Sequence, residues 1–330
     1  MAHPAFYPLR FEPIFTTNLW GGRRLPVFLN RTVAHDAAVG EAWVLSDVDG
    51  SLSRVTDGPL TGATLRDLMS EPARVIGGAK TAQGRFPLLL KFLDARQELS
   101  VQVHPNDEQA AQLGPGKFGK TEAWVVLDRD PATSLLYSGF APGVTAADFR
   151  AALDAKTTPR TLHNFTPNVG DCVFLEAGTV HAIGQNLLLF EVQQTSDITY
   201  RLYDWDRVDA KTKQPRELHI DKGLACADFR RGPCPAVGPC VTVSDGVRRE
   251  GLVACNYFTL ERLTSAVPFR VGAQSQCRAV VCVKGRGELE SRGQRHAFRT
   301  GDVFLLPAEI GECLAHPREE VTLLECGLPV

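Results

Sequence analysis

Short strand-like runs, each closed by a turn, recur along most of the chain. "LLLKFLDA", "LSVQVHP", "TEAWVVLD", "DCVFLEAG", "NLLLFEVQQ" and "ITYRLYDW" follow one another, and "YFTLERL", "AVVCVKGRGELE", "DVFLLPAE" and "VTLLECGLP" come later. Gly, Pro and Asp punctuate them. Such a series buries its apolar faces in a sandwich or a barrel. Two segments read as helices instead: "PNDEQAAQLG", with Asp107 and Glu108 near its start and Gly114 at its stop, and "TAADFRAALDA", with Thr145 as N-cap. The Pro/Gly-rich "RRGPCPAVGPC" from Arg230 to Cys240 reads as a linker. The expected division is therefore a first domain over 1–228, a linker over 229–240 and a second β domain over 241–330.

Charge excludes some functions. The formal net charge of the 330 residues is -2, which gives no bulk attraction for nucleic acid or an anionic membrane. No apolar run reaches membrane-spanning length. The opening "MAHPAFYPLRFEP" lacks a basic stretch followed by an apolar one, so no signal peptide is expected. Nine cysteines are scattered without a C-x-x-C pair, most of them in apolar runs. They read as reduced core thiols of a cytosolic protein.

Within "ELSVQVHP", Leu99, Val101 and Val103 alternate with Ser100, Gln102 and His104. A strand puts the three polar residues on one face. They are not the Lys/Glu/Thr mix usual on a solvated face. In a small barrel every other residue points into the lumen, and a polar lumen wall suits a site. His104 offers an imidazole nitrogen and Gln102 an amide oxygen, two positions apart. A borderline ion such as zinc accepts both. A lone strand histidine is more often structural, but two other segments add to it. "GKTEAWVVLD" places Glu122 at a strand start, and "EAGTVHAIG" places His181 after a tight turn. His, His and Glu make a three-ligand site that leaves room for water or substrate.

There is one internal echo. "VGDCVFLEAGTVHAIG" (169–184) is similar to "TGDVFLLPAEIGECLA" (300–315). Both resemble the Gly-Asp strand signature of cupin barrels. The first copy has Gly170, Gly178 and His181, with Glu176 and Gln185 where cupins usually carry proline and asparagine. The second has Gly311 or Glu312 where the histidine would fall. The resemblance implies a mainly β fold of two cupin-like jelly-roll barrels with a few short helices, the metal confined to the first.

"LSVQVHPNDE", "GKTEAW", "AGTVHAIG" and "EVQQTSDITYRLYDWDR" together resemble the motifs of type I mannose-6-phosphate isomerases in their short bacterial form, as do "NLWGGRRL" and "GEAWVLS". The likeness runs in order through roughly the first 220 residues and is looser beyond. It includes the spacing of 18 positions from His104 to Glu122, longer than in cupins generally. The resemblance implies one Zn²⁺ per chain on Gln102, His104, Glu122 and His181. It makes Arg201 the active-site arginine, Ser100 and Lys120 pocket residues, and Glu191 a pocket carboxylate. Arg207 falls where longer relatives carry a phosphate-binding lysine. The implied substrate is a phosphorylated hexose, with no nucleic-acid or membrane partner.

The chemistry agrees with that assignment. Moving a proton between C1 and C2 through a cis-enediol develops charge on the neighbouring oxygens, which a cation stabilises. The chain has no glycine cradle for phosphate, and "GGAKTAQG" reads as a flexible loop. The phosphate is therefore expected on side chains such as Arg201, Arg207, Lys120 and Ser100. Glu191, Lys120 and a zinc-bound water all remain open as the base. An Fe(II) cupin oxygenase on His104, Glu122 and His181 would explain the triad but not the strand glutamine or the basic residues. A sugar-sensing cupin would need no Lewis acid. His163 reads as structural or exposed, and His3, His35, His219, His296 and His316 have no companions at ligand spacing.

Overall fold

The computed structural model describes residues 5–33, 37–208 and 213–329. His3 and His35 lie outside the described residues. The chain is mainly β, and apart from a two-stranded pair of Asp47–Val48 and Ser51–Leu52 its strands fall into two pairs of facing sheets, the cupin-like arrangement.

In the first pair, the six-stranded sheet runs in space Ile14–Gly22, Val39–Leu45, Leu88–Ala95, Leu187–Gln194, Glu122–Arg129, Cys172–Leu175. The five-stranded sheet opposite runs Tyr200–Tyr203, Val101–Val103, His181–Ile183, Leu136–Phe140, Leu162–Phe165. Neighbouring strands in both are antiparallel. Alternation sorts their side chains. Trp20, Leu93, Trp124 and Leu189 point inward and meet Leu136 and Ile183 of the facing sheet and Leu99, just before its strand Val101–Val103. Val101, Val103 and Leu202 point outward, under Phe149 and Leu153 of a helix.

That helix, Ala146–Asp154, starts as its sequence predicts. Thr145 caps it, accepting from the Asp148 N–H while the Asp148 carboxylate accepts from the Thr145 N–H. Asn106 and Gln109 make the same reciprocal pair at the helix Asp107–Ala111. Short helices at Arg24–Phe28, Leu65–Leu68, Pro72–Val75 and Ile220–Cys226 have no counterpart in the reading above. Three of them are five residues or fewer, too short for a helical period to show.

The second pair joins a six-stranded sheet, from Cys240–Ser244 to Val303–Leu306, to a four-stranded one of Phe269–Val271, Cys313–Pro317, Arg286–Ser291 and Gln294–Arg299. Residues 231–239 carry neither helix nor strand, yet they are no free tether. Cys234 N–H donates to the Ser138 carbonyl (3.0 Å) and Val237 N–H to that of Cys172 (2.7 Å), so the segment lies along the first sheet pair. The two pairs share one apolar core. Phe92, Val125, Phe190 and Val192, on the outer face of the first six-stranded sheet, are buried with Leu252, Leu260 and Leu324 of the second pair. All nine cysteines are free thiols. Among the described residues no helix is long and apolar enough to cross a membrane.

Candidate metal centre

Strand register draws two facing rows of side chains across the first sheet pair. On the five-stranded sheet, Arg201 lies opposite Gln102, Gln102 opposite His181, and His181 opposite Ser138. On the six-stranded sheet the row is Trp43, Lys91, Glu191, Trp124. Glu122 stands two residues before Trp124 on the same face.

His104, Glu122 and His181 converge, and their ligand atoms all lie within 4.8 Å of one another. Among the described residues this is the one such cluster of His, Cys, Asp or Glu. Both imidazoles are oriented from behind. His104 Nδ1 meets the Ile198 carbonyl at 2.8 Å, and His181 Nδ1 meets that of Thr179 at 2.9 Å. A carbonyl can only accept, so each Nδ1 carries the proton and each Nε2 turns a lone pair to the centre. His181 Nε2 faces Glu122 Oε1 at 3.3 Å, and His104 Nε2 faces Glu122 Oε2 at 3.7 Å. Lys120 Nζ lies 3.3 Å from His104 Nε2 and in close contact with Glu122 Oε2. Glu122 Oε1, buried and facing the His181 lone pair, is left without a donor, an arrangement that a cation between them would satisfy.

Gln102 stands beside the cluster. Its amide nitrogen lies 3.3 Å from His181 Nε2, and its oxygen accepts from the Ser100 hydroxyl at 3.4 Å. Amide flips are an assignment, and turning this amide brings the oxygen to the same place. Electrostatics keep the ligands ready. Burial, then the Lys120 ammonium, push the His104 pKa well below its ordinary value. The same causes push His181 down to about 4. Both rings are therefore neutral donors at pH 7. Burial, aided by the Glu191 carboxylate, pushes Glu122 up to about 7 against the pull of Lys120.

Lys120 and Glu191 stand beside the ligands. Lys120 Nζ is in close contact with Glu122 Oε2 and lies 3.4 Å from Glu191 Oε1. Glu191 also accepts from the Trp124 indole at 3.1 Å. Burial acts to raise its pKa, but Lys120 and Lys91 outweigh it, and the carboxyl ends below its ordinary value. The sequence reading missed Lys91. Its Nζ is 3.6 Å from Glu191 and from Glu41, and 4.9 Å from the centre of the Trp43 ring. The signal was present: a lysine in the middle of "LLLKFLDA", a strand buried at every position, needs partners inside.

The arginines separate. Among the described residues Arg201 makes no ion pair. Its Nη1 donates to the Glu217 carbonyl (2.8 Å), and its Nε is buried without a partner. Burial, then the nearby Arg216, lower its pKa. Arg207, expected on the phosphate, has a different partner here. With Arg216 it is fixed on the Asp204 carboxylate, both at 2.5 Å. Removing that acceptor leaves two cations unpaired. Asp204→Ala is expected to cost about 1.5–3 kcal/mol in denaturant unfolding, the usual weight of a charge-assisted bond. An unchanged unfolding midpoint would return Arg207 to the pool of free cations. His163, His219, His296 and His316 lie outside the metal cluster.

Two family profiles match the chain: "Phosphomannose isomerase type I, catalytic domain" over residues 9–123, and "Mannose-6-phosphate isomerase, cupin domain" over 249–314. Mannose-6-phosphate isomerase ManA of Bacillus subtilis is 34% identical over 309 residues, covering 92% of this chain and 94% of the relative. The chain belongs to the type I mannose-6-phosphate isomerases. The Streptococcus mutans mannose-6-phosphate isomerase is 31% identical over 91% of this isomerase. A crystal structure of a mannose 6-phosphate isomerase from Bacillus subtilis superposes with a TM-score of 0.88 at 28% identity, covering 97% of this chain and 99% of that one. A phosphomannose isomerase variant from Salmonella typhimurium, 18% identical, shares the fold at a TM-score of 0.77.

Proposed function

We propose that this isomerase interconverts mannose 6-phosphate and fructose 6-phosphate through a cis-enediol, using one zinc ion on Gln102, His104, Glu122 and His181. The observation that carries this reading is the set of lone pairs turned on one point, with Glu122 Oε1 left without a donor. Neutral imidazoles and a single carboxylate suit zinc. When bound, the ion supplies Lewis-acid stabilisation of charge on the C1 and C2 oxygens.

The chain's own residues do the rest. Glu191 and Lys120, 3.4 Å apart, form an acid–base pair that can move the proton between C1 and C2 and exchange it with the oxygens. Lys91 and the Trp124 indole hold the Glu191 carboxylate in place. The lumen wall opposes two lysines to three glutamates, so a divalent ion leaves the site mildly positive, as a phosphorylated enediolate requires. Arg201 and Ser100, on the same face as Gln102, are the phosphate and sugar contacts. The nine free thiols suit a reducing cytosol.

The test is metal analysis of the purified chain beside an isomerase assay. One zinc per chain is expected, with activity lost on chelation and regained on adding zinc. Activity that survives complete metal removal would overturn the reading.

A further inference from the structure

Of the four proposed ligands, Gln102 lies within a strand and the other three sit where the strand ladders stop. His104 lies one residue beyond the strand Val101–Val103, and Glu122 and His181 are the first residues of theirs. Sheet hydrogen bonds therefore hold each of these three from one side only. On the other side the chain turns away, and something else must fix it. A zinc site tolerates errors of about 0.5 Å in its ligands.

A closed set of hydrogen bonds occupies that position. His104 is followed by Pro105, whose carbonyl accepts from Lys120 N–H at 3.0 Å. Asp107 Oδ1 accepts from Gly119 N–H (2.8 Å) and from Gln194 Nε2 (3.0 Å). Gln194 Oε1 accepts from Thr121 N–H at 2.9 Å, and Gln194 N–H donates back to the Thr121 carbonyl at 3.2 Å. Thr121 Oγ1 accepts from Ala177 N–H at 3.2 Å. The circle closes where Gly178 N–H donates to the His104 carbonyl at 2.9 Å. Gly178 has φ +88°, a conformation costly for any residue with a Cβ. The segments leading to His104, Glu122 and His181 are thus tied to one another and to the end of the strand that carries Glu191.

Two side chains are the pivots. Gln194 and Thr121 are buried, at 7% and 4% exposure. By strand alternation Gln194 points away from the lumen that Glu191 and Gln193 face. It therefore reaches neither the ligand atoms nor a substrate in the lumen.

We propose that Gln194 and Thr121 are positioning residues of the metal centre, setting zinc affinity and turnover from the far side of the sheet. The inference rests on the zinc reading above. Outer-shell partners of this kind typically contribute 10- to 100-fold in metal affinity or activity.

The experiment uses the full chain with Gln194→Met, which keeps the volume but neither bond, and the pair Thr121→Val and Thr121→Ser. Zinc affinity is read by competition with a chromogenic chelator, beside kcat, KM and thermal melts. Gln194→Met and Thr121→Val are expected to bind zinc about 10- to 100-fold more weakly. Both should lose kcat by a similar factor, with KM within about twofold and the protein folded at the assay temperature. Thr121→Ser, which keeps the acceptor, should stay near wild type. Wild-type zinc affinity and kcat in both disabling variants would overturn the proposal. So would losses no larger than the unfolded fraction seen in the melts. A wild-type chain that neither binds zinc nor isomerises the sugar would instead overturn the zinc reading itself.

Discussion

His181→Ala is expected to abolish isomerase activity and to leave the purified protein with little zinc, while the fold survives. His181 is fully buried, and its Nδ1 is fixed on the Thr179 carbonyl. Its Nε2 is aimed at Glu122. Alanine removes that ligand and opens a hole beside Trp124, whose ring centre lies 5.4 Å from the imidazole. Fold and metal should separate here. The apolar core runs through both sheet pairs and does not depend on the ion for closure. Zinc that acts on the oxygens of the sugar, as proposed, is in catalytic rather than structural use. The check is metal content, activity and a thermal melt on one preparation. Full activity in the variant would remove His181 from the ligand set. Collapse of the native protein on chelation would make the metal structural.

Arg201→Ala is the second large effect. Arg201 lies opposite Gln102 on the lumen side, is half-buried, and meets no carboxylate among the described residues. Burial and Arg216 disfavour its charge, Asp204 and Glu217 offset them only in part, and under the proposed reading the substrate phosphate or enediolate supplies the missing anion. Losing it should cost about 2–5 kcal/mol of transition-state stabilisation, by analogy with truncating a buried charged pair. That is roughly 30- to 5,000-fold in kcat/KM for mannose 6-phosphate. Arg201→Lys should recover only part, because an ammonium cannot reproduce the two-pronged donor. Near-wild-type kinetics in the alanine variant would refute the role. A fall in melting temperature large enough to explain the lost activity would make Arg201 a structural brace.

Much of this was readable in the chain. Period-two alternation put Gln102 and His104 on one face, as the structure has them, although the strand is only three residues long and Leu99, expected beside Val101 and Val103, packs in the inner cluster instead. The capping boxes at Asn106 and Thr145 are local chemistry, so their helices form as the sequence indicates. What stayed hidden depends on contacts distant in the chain. Asp204 lies three positions before Arg207 but twelve before Arg216, and only the fold of that segment sets both cations on one carboxylate. Lys91 was concealed by its apolar neighbours, although those neighbours made it anomalous. Gln194 could not be singled out from Gln193, since the two differ only in which face of one strand they occupy. The segment 231–239 was composed like a tether, and its backbone bonds to Ser138 and Cys172 leave no trace in composition.

The common core carries a lesson for anyone who would cut the chain. Phe92, Phe190 and Val192 on one side and Leu252, Leu260 and Leu324 on the other are buried in one cluster that crosses the boundary. Expressing either half alone would uncover a sheet face that native contact keeps dry, and such surfaces stick to one another. Neither piece is expected to be a tractable monomer, and the intact molecule should lose both halves in a single cooperative step on heating.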